Sequence, residues 1–247
     1  MKTKWSIDIN CDLGEGLDNE AQLMPYISSC NIACGGHAGN DSSMQKVIEL
    51  AQKHQVKIGA HPSYPDPENF GRQPMDISAE ALLQSLIEQI NRLLQLLAKN
   101  HGHLHHIKAH GALYNEGAKN PEIAQIIINA VLRTAPKVFL YVPYASVIAK
   151  MAQEQGIAIQ YEVFADRNYN PDLSLVSRSH PKAILKSNAA IEAHIGQMIC
   201  DEKVSTLSGA IKTIVADTCC VHGDHPEAID TVKHIFESLP KKRICIE

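Results

Sequence analysis

Six segments of this 247-residue chain end an apolar run in a cluster of ionisable side chains, five of them at a glycine or proline. They read Asp8-Ile9-Asn10-Cys11-Asp12-Leu13-Gly14-Glu15, Ala33-Cys34-Gly35-Gly36-His37-Ala38-Gly39, Ile58-Gly59-Ala60-His61-Pro62, Ile107-Lys108-Ala109-His110-Gly111-Ala112, Phe164-Ala165-Asp166-Arg167 and Cys220-Val221-His222-Gly223-Asp224. One such strand end constrains little. Six in a row imply parallel strands whose C-terminal ends converge on one polar pocket, the place where α/β barrels put their chemistry. The pattern argues for an enzyme.

Strand-like runs at 5–10, 29–34, 56–60, 106–109, 138–142, 157–163 and 213–217 alternate with amphipathic helical stretches. Helices are expected at 42–54, with Asp41 or Ser42 as N-cap, after Ser78, and at 121–134, 145–155, 188–200 and 226–239. Crossovers of this length join parallel strands. About seven strands in one domain spanning 1–247 favour an irregular (β/α) barrel, and no glycine-rich nucleotide loop speaks for a doubly wound sheet. Two long segments, 62–75 and 165–182, follow strand ends and are expected to wall or cover the pocket.

A net charge of −4 offers no clustered cationic surplus for nucleic acid or anionic membrane. No run approaches the roughly 18 to 20 apolar residues of a membrane span. The first residues mix charges into a strand, so the expected location is cytoplasmic. Seven cysteines without a framework spacing are expected to be free thiols packed as small hydrophobes.

Of thirteen histidines, His37, His61, His110 and His222 each follow an apolar strand beside glycine or proline and form the functional candidates. His101, His103, His105 and His106 read instead as solvated or partly buried loop residues. Asp12, Glu15, Asp166 and Asp224 supply carboxylates that can shift the proton affinity of an imidazole in a half-buried cleft, as general acid–base catalysis requires. Lys108 offers a cation inside the barrel mouth, two residues before His110 and on the same side of an extended strand. Arg72, Arg167 and Arg178 can clamp a carboxylate in bidentate fashion. Asp12, His37 and His61 also form a possible divalent-metal ligand set.

The ordered blocks Asp8-x-Asn10-Cys11-Asp12-Leu13-Gly14-Glu15, Asn31-Ile32-Ala33-Cys34-Gly35-x-His37-Ala38-Gly39, Gly59-Ala60-His61-Pro62-Ser63-Tyr64-Pro65-Asp66, Phe70-Gly71-Arg72, Lys108-x-His110-Gly111-Ala112-Leu113-Tyr114-Asn115, Phe164-Ala165-Asp166-Arg167-x-Tyr169 and Cys220-Val221-His222-Gly223-Asp224 together resemble the LamB/YcsF family. The resemblance runs over essentially the whole chain. It implies a barrel similar to the glycoside hydrolase/deacetylase superfamily. It also implies a part in ATP-dependent opening of the cyclic amide 5-oxoproline to glutamate, with partner subunits B and C handling ATP. Carried over, it makes Asp12, Glu15, His37, His61, Lys108, His110, Asp166, His222 and Asp224 the expected catalytic set. Asn10, Arg72, Tyr114, Arg167 and Arg178 become the expected substrate contacts. The rival reading, suggested by the superfamily, is a stand-alone metal-dependent deacetylase or amidohydrolase using Asp12, His37 and His61. Four departures stand out: Gly36 where the family usually has Phe, Asn40 where it has Asp, Ala109 where it has Pro, and Asn170-Pro171-Asp172-Leu173-Ser174 where it places a Gly before the Leu-x-x-Arg segment after Tyr169.

Overall fold

Strand β1 (Trp5–Leu13) sets the pattern of the molecule. Its apolar residues Ile7, Ile9, Cys11 and Leu13 are buried, and Asp8, Asn10 and Asp12 alternate with them on the opposite face. The next strands repeat the alternation: β2 (Ser29–Ala33), β3 (Lys57–His61), β4 (Leu104–Ile107), β5 (Phe139–Pro143) and β6 (Ile159–Phe164). The hairpin of β7 (Lys203–Ser205) and β8 (Ile211–Thr213) stands outside this ring, and β9 (Thr218–Cys220) completes it. The ring runs β1-β2-β3-β4-β5-β6-β9, every pair parallel, and closes because β9 also pairs with β1. The fold is therefore a closed seven-stranded parallel barrel. A short β10 (Ile244–Ile246) extends the N-terminal half of β1 on its outer flank. These descriptions come from a computed structural model that covers residues 5–221 and 228–247.

The helices α1 (Glu20–Leu23), α2 (Asp41–His54), α3 (Ala79–Lys99), α4 (Gly111–Gly117), α5 (Pro121–Thr134), α6 (Val147–Glu154), α7 (Asn188–Cys200) and α8 (Ala228–Ser238) follow the strands. Each longer helix buries one stripe. In α2 it is Met44, Val47, Ile48 and Ala51, and in α3 it includes Leu82, Leu86, Ile90, Leu93 and Leu97. The apolar core thus lies between strands and helices, so the barrel interior is free to be polar. Ser78 caps α3 as expected, accepting from Ala81 N at 3.3 Å. The cap of α2 is Asn40 rather than Asp41 or Ser42: its side chain accepts from Ser43 N at 3.0 Å, and Ser43 Oγ accepts from Asn40 N at 2.8 Å. All seven cysteines are free, five of them buried. Among the described residues no helix is long and apolar enough to cross a membrane.

The expected strand at 213–217 is the clearest miss. Ile211–Thr213 pairs antiparallel with β7, exposed along its whole length, and the barrel strand begins only at Thr218. Local β-propensity identified extended chain there, but fit between β1 and β6 decided which part entered the barrel. Helix α4, unforeseen because glycine stands at both ends, starts where the chain has to pass close to the 62–75 loop. Gly111 has φ +56°, a Cβ there would strike Gly71 O, and Ala112 N donates to that same oxygen at 2.9 Å.

Candidate active site

The inward-facing residues of the barrel form a polar stack with few loose ends. At the bottom, Asp8 Oδ2 accepts from Ser29 Oγ at 2.6 Å and from Thr218 Oγ1 at 2.7 Å. One layer up, Asn10 Nδ2 donates to Thr218 Oγ1 at 2.7 Å and to Glu162 Oε1 at 3.0 Å, and Asn10 Oδ1 accepts from Asn31 Nδ2 at 2.7 Å. His106 is fully buried, donates from Nε2 to Asn31 Oδ1 at 2.6 Å, and stacks on Tyr141 with ring centroids 3.9 Å apart. Its ring fills the space beside Gly59, where any Cβ would collide with it. Burial pushes its pKa well down, with neighbouring positive charge acting the same way, so His106 is neutral.

Above this floor Lys108 turns inward. Its Nζ lies 2.9 Å from Glu162 Oε1, 3.0 Å from Asp12 Oδ1, 3.1 Å from Cys220 Sγ and 3.3 Å from Asn10 Oδ1. Burial alone would lower its proton affinity. Asp12, the Cys220 sulfur and Glu162 outweigh it and hold the Lys108 pKa well above the ordinary lysine value. Asn31 Nδ2 also donates to Asp12 Oδ1 at 2.7 Å, which fixes the carboxylate beside the lysine.

Three imidazoles gather next to this pair. His61 Nδ1 lies 2.8 Å from the Lys108 carbonyl, while its Nε2 points to Asp12 Oδ2 at 3.3 Å and to His110 Nδ1 at 3.0 Å. His110 Nε2 lies 3.0 Å from the Phe70 carbonyl, and His37 stacks on His110 at 3.6 Å, nearly parallel. His37 Nε2 lies 3.0 Å from Glu15 Oε1. One donor atom from each of Glu15, His37, His61 and His110 falls within 4.8 Å of the other three, so this quartet could hold a metal ion. Burial lowers the pKa of His110 and of His37, the latter partly offset by Glu15.

The cluster opens into a cavity of about 620 Å³. Both long loops contribute to its walls, as expected: Arg72 comes from the first, Arg167, Tyr169 and Arg178 from the second. Tyr114 of α4 and Lys119 also line it. Arg72 rests over the Phe70 ring at 4.8 Å, and Arg167 anchors the second loop by donating to Val176 O at 2.6 Å. The site is thus a cleft with carboxylates and imidazoles clustered together and three arginines, one of them the buried Arg167, in its lining.

A profile of the LamB/YcsF family matches residues 7–247. The chain belongs to the LamB/YcsF family. It is 39% identical to the 5-oxoprolinase A-subunit of Geobacillus thermodenitrificans (strain NG80-2), covering 100% of this chain and 97% of that protein. The crystal structure of a lactam utilization protein from Thermus thermophilus superposes with a TM-score of 0.92 at 31% identity, covering 98% of this chain and 99% of that one. A family 4 carbohydrate esterase from Streptomyces lividans shares the fold alone, at a TM-score of 0.51 and 11% identity over 99% of this chain and 92% of that one.

Within this LamB/YcsF barrel most of the expected residues meet. Asp12, Glu15, His61, Lys108, His110, Arg72, Tyr114, Arg167 and Arg178 all line the cavity, and His37 packs against His110 at its floor. Asp166 does not line it: it is buried, and its charge is felt by Cys11, Cys219 and His194, on the side of the strands that faces the helices. Asn10 was expected to touch substrate but lies one pleat deeper than Asp12, with both amide atoms engaged in the floor network. His222 and Asp224 lie outside the described residues. Asn40 is exposed at the helix cap, so a neutral residue there removes nothing from the cavity. At Gly36 a side chain would run into Ser63 and Gln89, whose amide brackets Ser63 through its N and O at 3.0 and 2.9 Å. Two residues were missed. His106 is a core residue rather than a loop histidine, and Glu162 was passed over although a lone carboxylate inside an apolar strand was a readable signal.

Proposed function

We propose that this chain performs the ring-opening step of an ATP-dependent 5-oxoprolinase, hydrolysing the lactam to glutamate together with two partner subunits, B and C. The names carried by its relatives support the substrate class. The observation that carries the chemistry is Lys108: an ammonium in the cavity lining, 3.0 Å from Asp12 and 2.9 Å from Glu162, beside the imidazole cluster. Arg72, Arg167 or Arg178 in the cavity lining takes the substrate carboxylate. Lys108 then faces the lactam oxygen and stabilises the negative charge that develops there. Asp12 or Glu15, each beside a histidine, orients water and takes its proton as the oxygen attacks the carbonyl carbon. When the C–N bond breaks, that proton passes from the carboxylate, through the histidine beside it, to the leaving nitrogen. If a divalent metal sits in the Glu-His quartet, it would supply Lewis-acid polarisation there.

ATP enters through the partners in this scheme, because the sequence carries no nucleotide loop of its own. The purified chain should therefore show little or no glutamate release from 5-oxoproline with ATP, and addition of the two cognate partners should restore it. Full turnover by the chain alone would overturn the division of labour. Deacetylation of amide substrates by the chain alone would favour the deacetylase reading.

A further inference from the structure

We propose that His61 Nε2, His110 Nδ1 and the Glu15 carboxylate form a binding site for a divalent transition metal of the Zn²⁺ class, with His37 orienting Glu15. The inference begins with the outer nitrogens of the two rings. His61 Nδ1 and His110 Nε2 each face a backbone carbonyl, of Lys108 and Phe70 respectively. A carbonyl only accepts, so both of these nitrogens carry the hydrogen. The opposite nitrogens, His61 Nε2 and His110 Nδ1, are the ones turned inward, where an imidazole offers its lone pair to a metal when the outer nitrogen carries the hydrogen. They nevertheless face each other at 3.0 Å.

The surrounding atoms deepen the mismatch. Asp12 Oδ2 lies 3.3 Å from His61 Nε2, and Glu15 Oε1 lies 3.6 Å from His110 Nδ1. Two ring nitrogens and two carboxylate oxygens thus converge on one point, an arrangement that suits a cation. The spacings suit one. Four ligands placed tetrahedrally at about 2.0–2.1 Å from Zn²⁺ stand roughly 3.4 Å from one another. The 3.0 Å and 3.6 Å separations on His110 Nδ1 bracket that value. The carbonyl contacts have the form usual for metal-bound histidine, in which the second ring nitrogen donates to a backbone oxygen and fixes the tautomer. Imidazole and carboxylate together favour Zn²⁺ and its neighbours over Mg²⁺ or Ca²⁺.

The geometry also revises the ligand set read from the sequence. Asp12 is tied to Lys108 and Asn31 through Oδ1 and approaches only with Oδ2. His37 Nε2 contacts Glu15 Oε1 rather than the imidazole pair, which makes it the positioning residue for that carboxylate. The cavity side is left for a water or a substrate oxygen, as three-ligand catalytic sites require. The role in turnover rests on the function proposed above, whereas the binding itself does not.

The test uses the full chain, stripped with a chelator and dialysed. Calorimetric titration with ZnCl₂ should give one tight site per chain, and CoCl₂ should produce the visible absorption of a four- or five-coordinate Co²⁺. His61→Ala and His110→Ala should each weaken Zn²⁺ binding by more than about 100-fold, a larger loss than most outer-shell changes cause. His103→Ala, at an exposed residue, should leave it unchanged. Circular dichroism of each variant separates lost binding from lost folding, and the stripped wild-type chain is a test free of any substitution. Folded wild-type protein that takes up no Zn²⁺ would overturn the proposal, since the two rings would then have to share a proton. Binding that survives both histidine substitutions would overturn it equally. Tight binding at these residues, combined with no lactam hydrolysis even with partners present, would sink the 5-oxoprolinase reading and leave the metal site standing.

Discussion

Lys108→Met should lower reconstituted 5-oxoproline hydrolysis by about 100- to 1000-fold, the usual cost of deleting a group that stabilises transition-state charge. His110→Ala should fall in the same range. His103→Ala, exposed and away from the cavity, should retain full activity. Lysine at this position also has a structural duty, so the comparison needs a control. Removing it leaves Glu162, whose side chain is 0% exposed, and Asp12 without their cation. Breaking a buried pair from one side typically costs about 3–5 kcal/mol. The double variant Lys108→Met/Glu162→Gln removes both charges, and should regain much of that stability without regaining activity. Measured as kcat at matched folded protein, this separates the two duties. Activity near wild type in Lys108→Met, or recovery in the double variant, would remove Lys108 from the chemistry.

Acid should destabilise the fold through His106. Its folded-state pKa is depressed by burial and by neighbouring His105 and Lys108, whereas the unfolded chain titrates near 6.5. Below about pH 6.5 the unfolded state therefore binds a proton that the folded state refuses. Stability then falls as pH falls, at about 1.4 kcal/mol per pH unit for this one group, until the folded pKa is reached. His37 and His110, also held down by burial, add slopes of their own. Urea unfolding of the wild type and of His106→Gln across that range isolates the His106 share. The variant should start less stable at pH 7.5, having lost the stack on Tyr141, and should lose stability more slowly with acid. Parallel slopes would mean that His106 takes up its proton in the folded state.

Residue order alone placed most of the barrel. Apolar runs ending in Gly59-Ala60-His61 or Ile107-Lys108-Ala109-His110 announce parallel strand ends, because the ionisable residue and the glycine or proline beside it mark where the chain leaves the sheet. The helices were legible for a similar reason: a buried stripe at spacings of three and four is a local property, as Met44, Val47, Ile48 and Ala51 illustrate. Residues 211–220 were not legible in that way. Both 211–213 and 218–220 can be extended, and only the gap between β1 and β6 chose the second for the barrel.

Which side chains would be ionisable and near the rim was therefore determined by the sequence. Their pairing was not. That Lys108 joins Glu162 across the barrel and that Asn10 sits one layer below the cavity follow from the register of seven closed strands. The convergence of His61 and His110 depends likewise on two backbone carbonyls, of Lys108 and Phe70, that turn each ring. A one-residue shift along a strand moves a side chain to the other face, and only the closed ring sets that shift. Composition and periodicity carry the identity of the groups, and tertiary pairing carries their distances, on which acid–base chemistry depends.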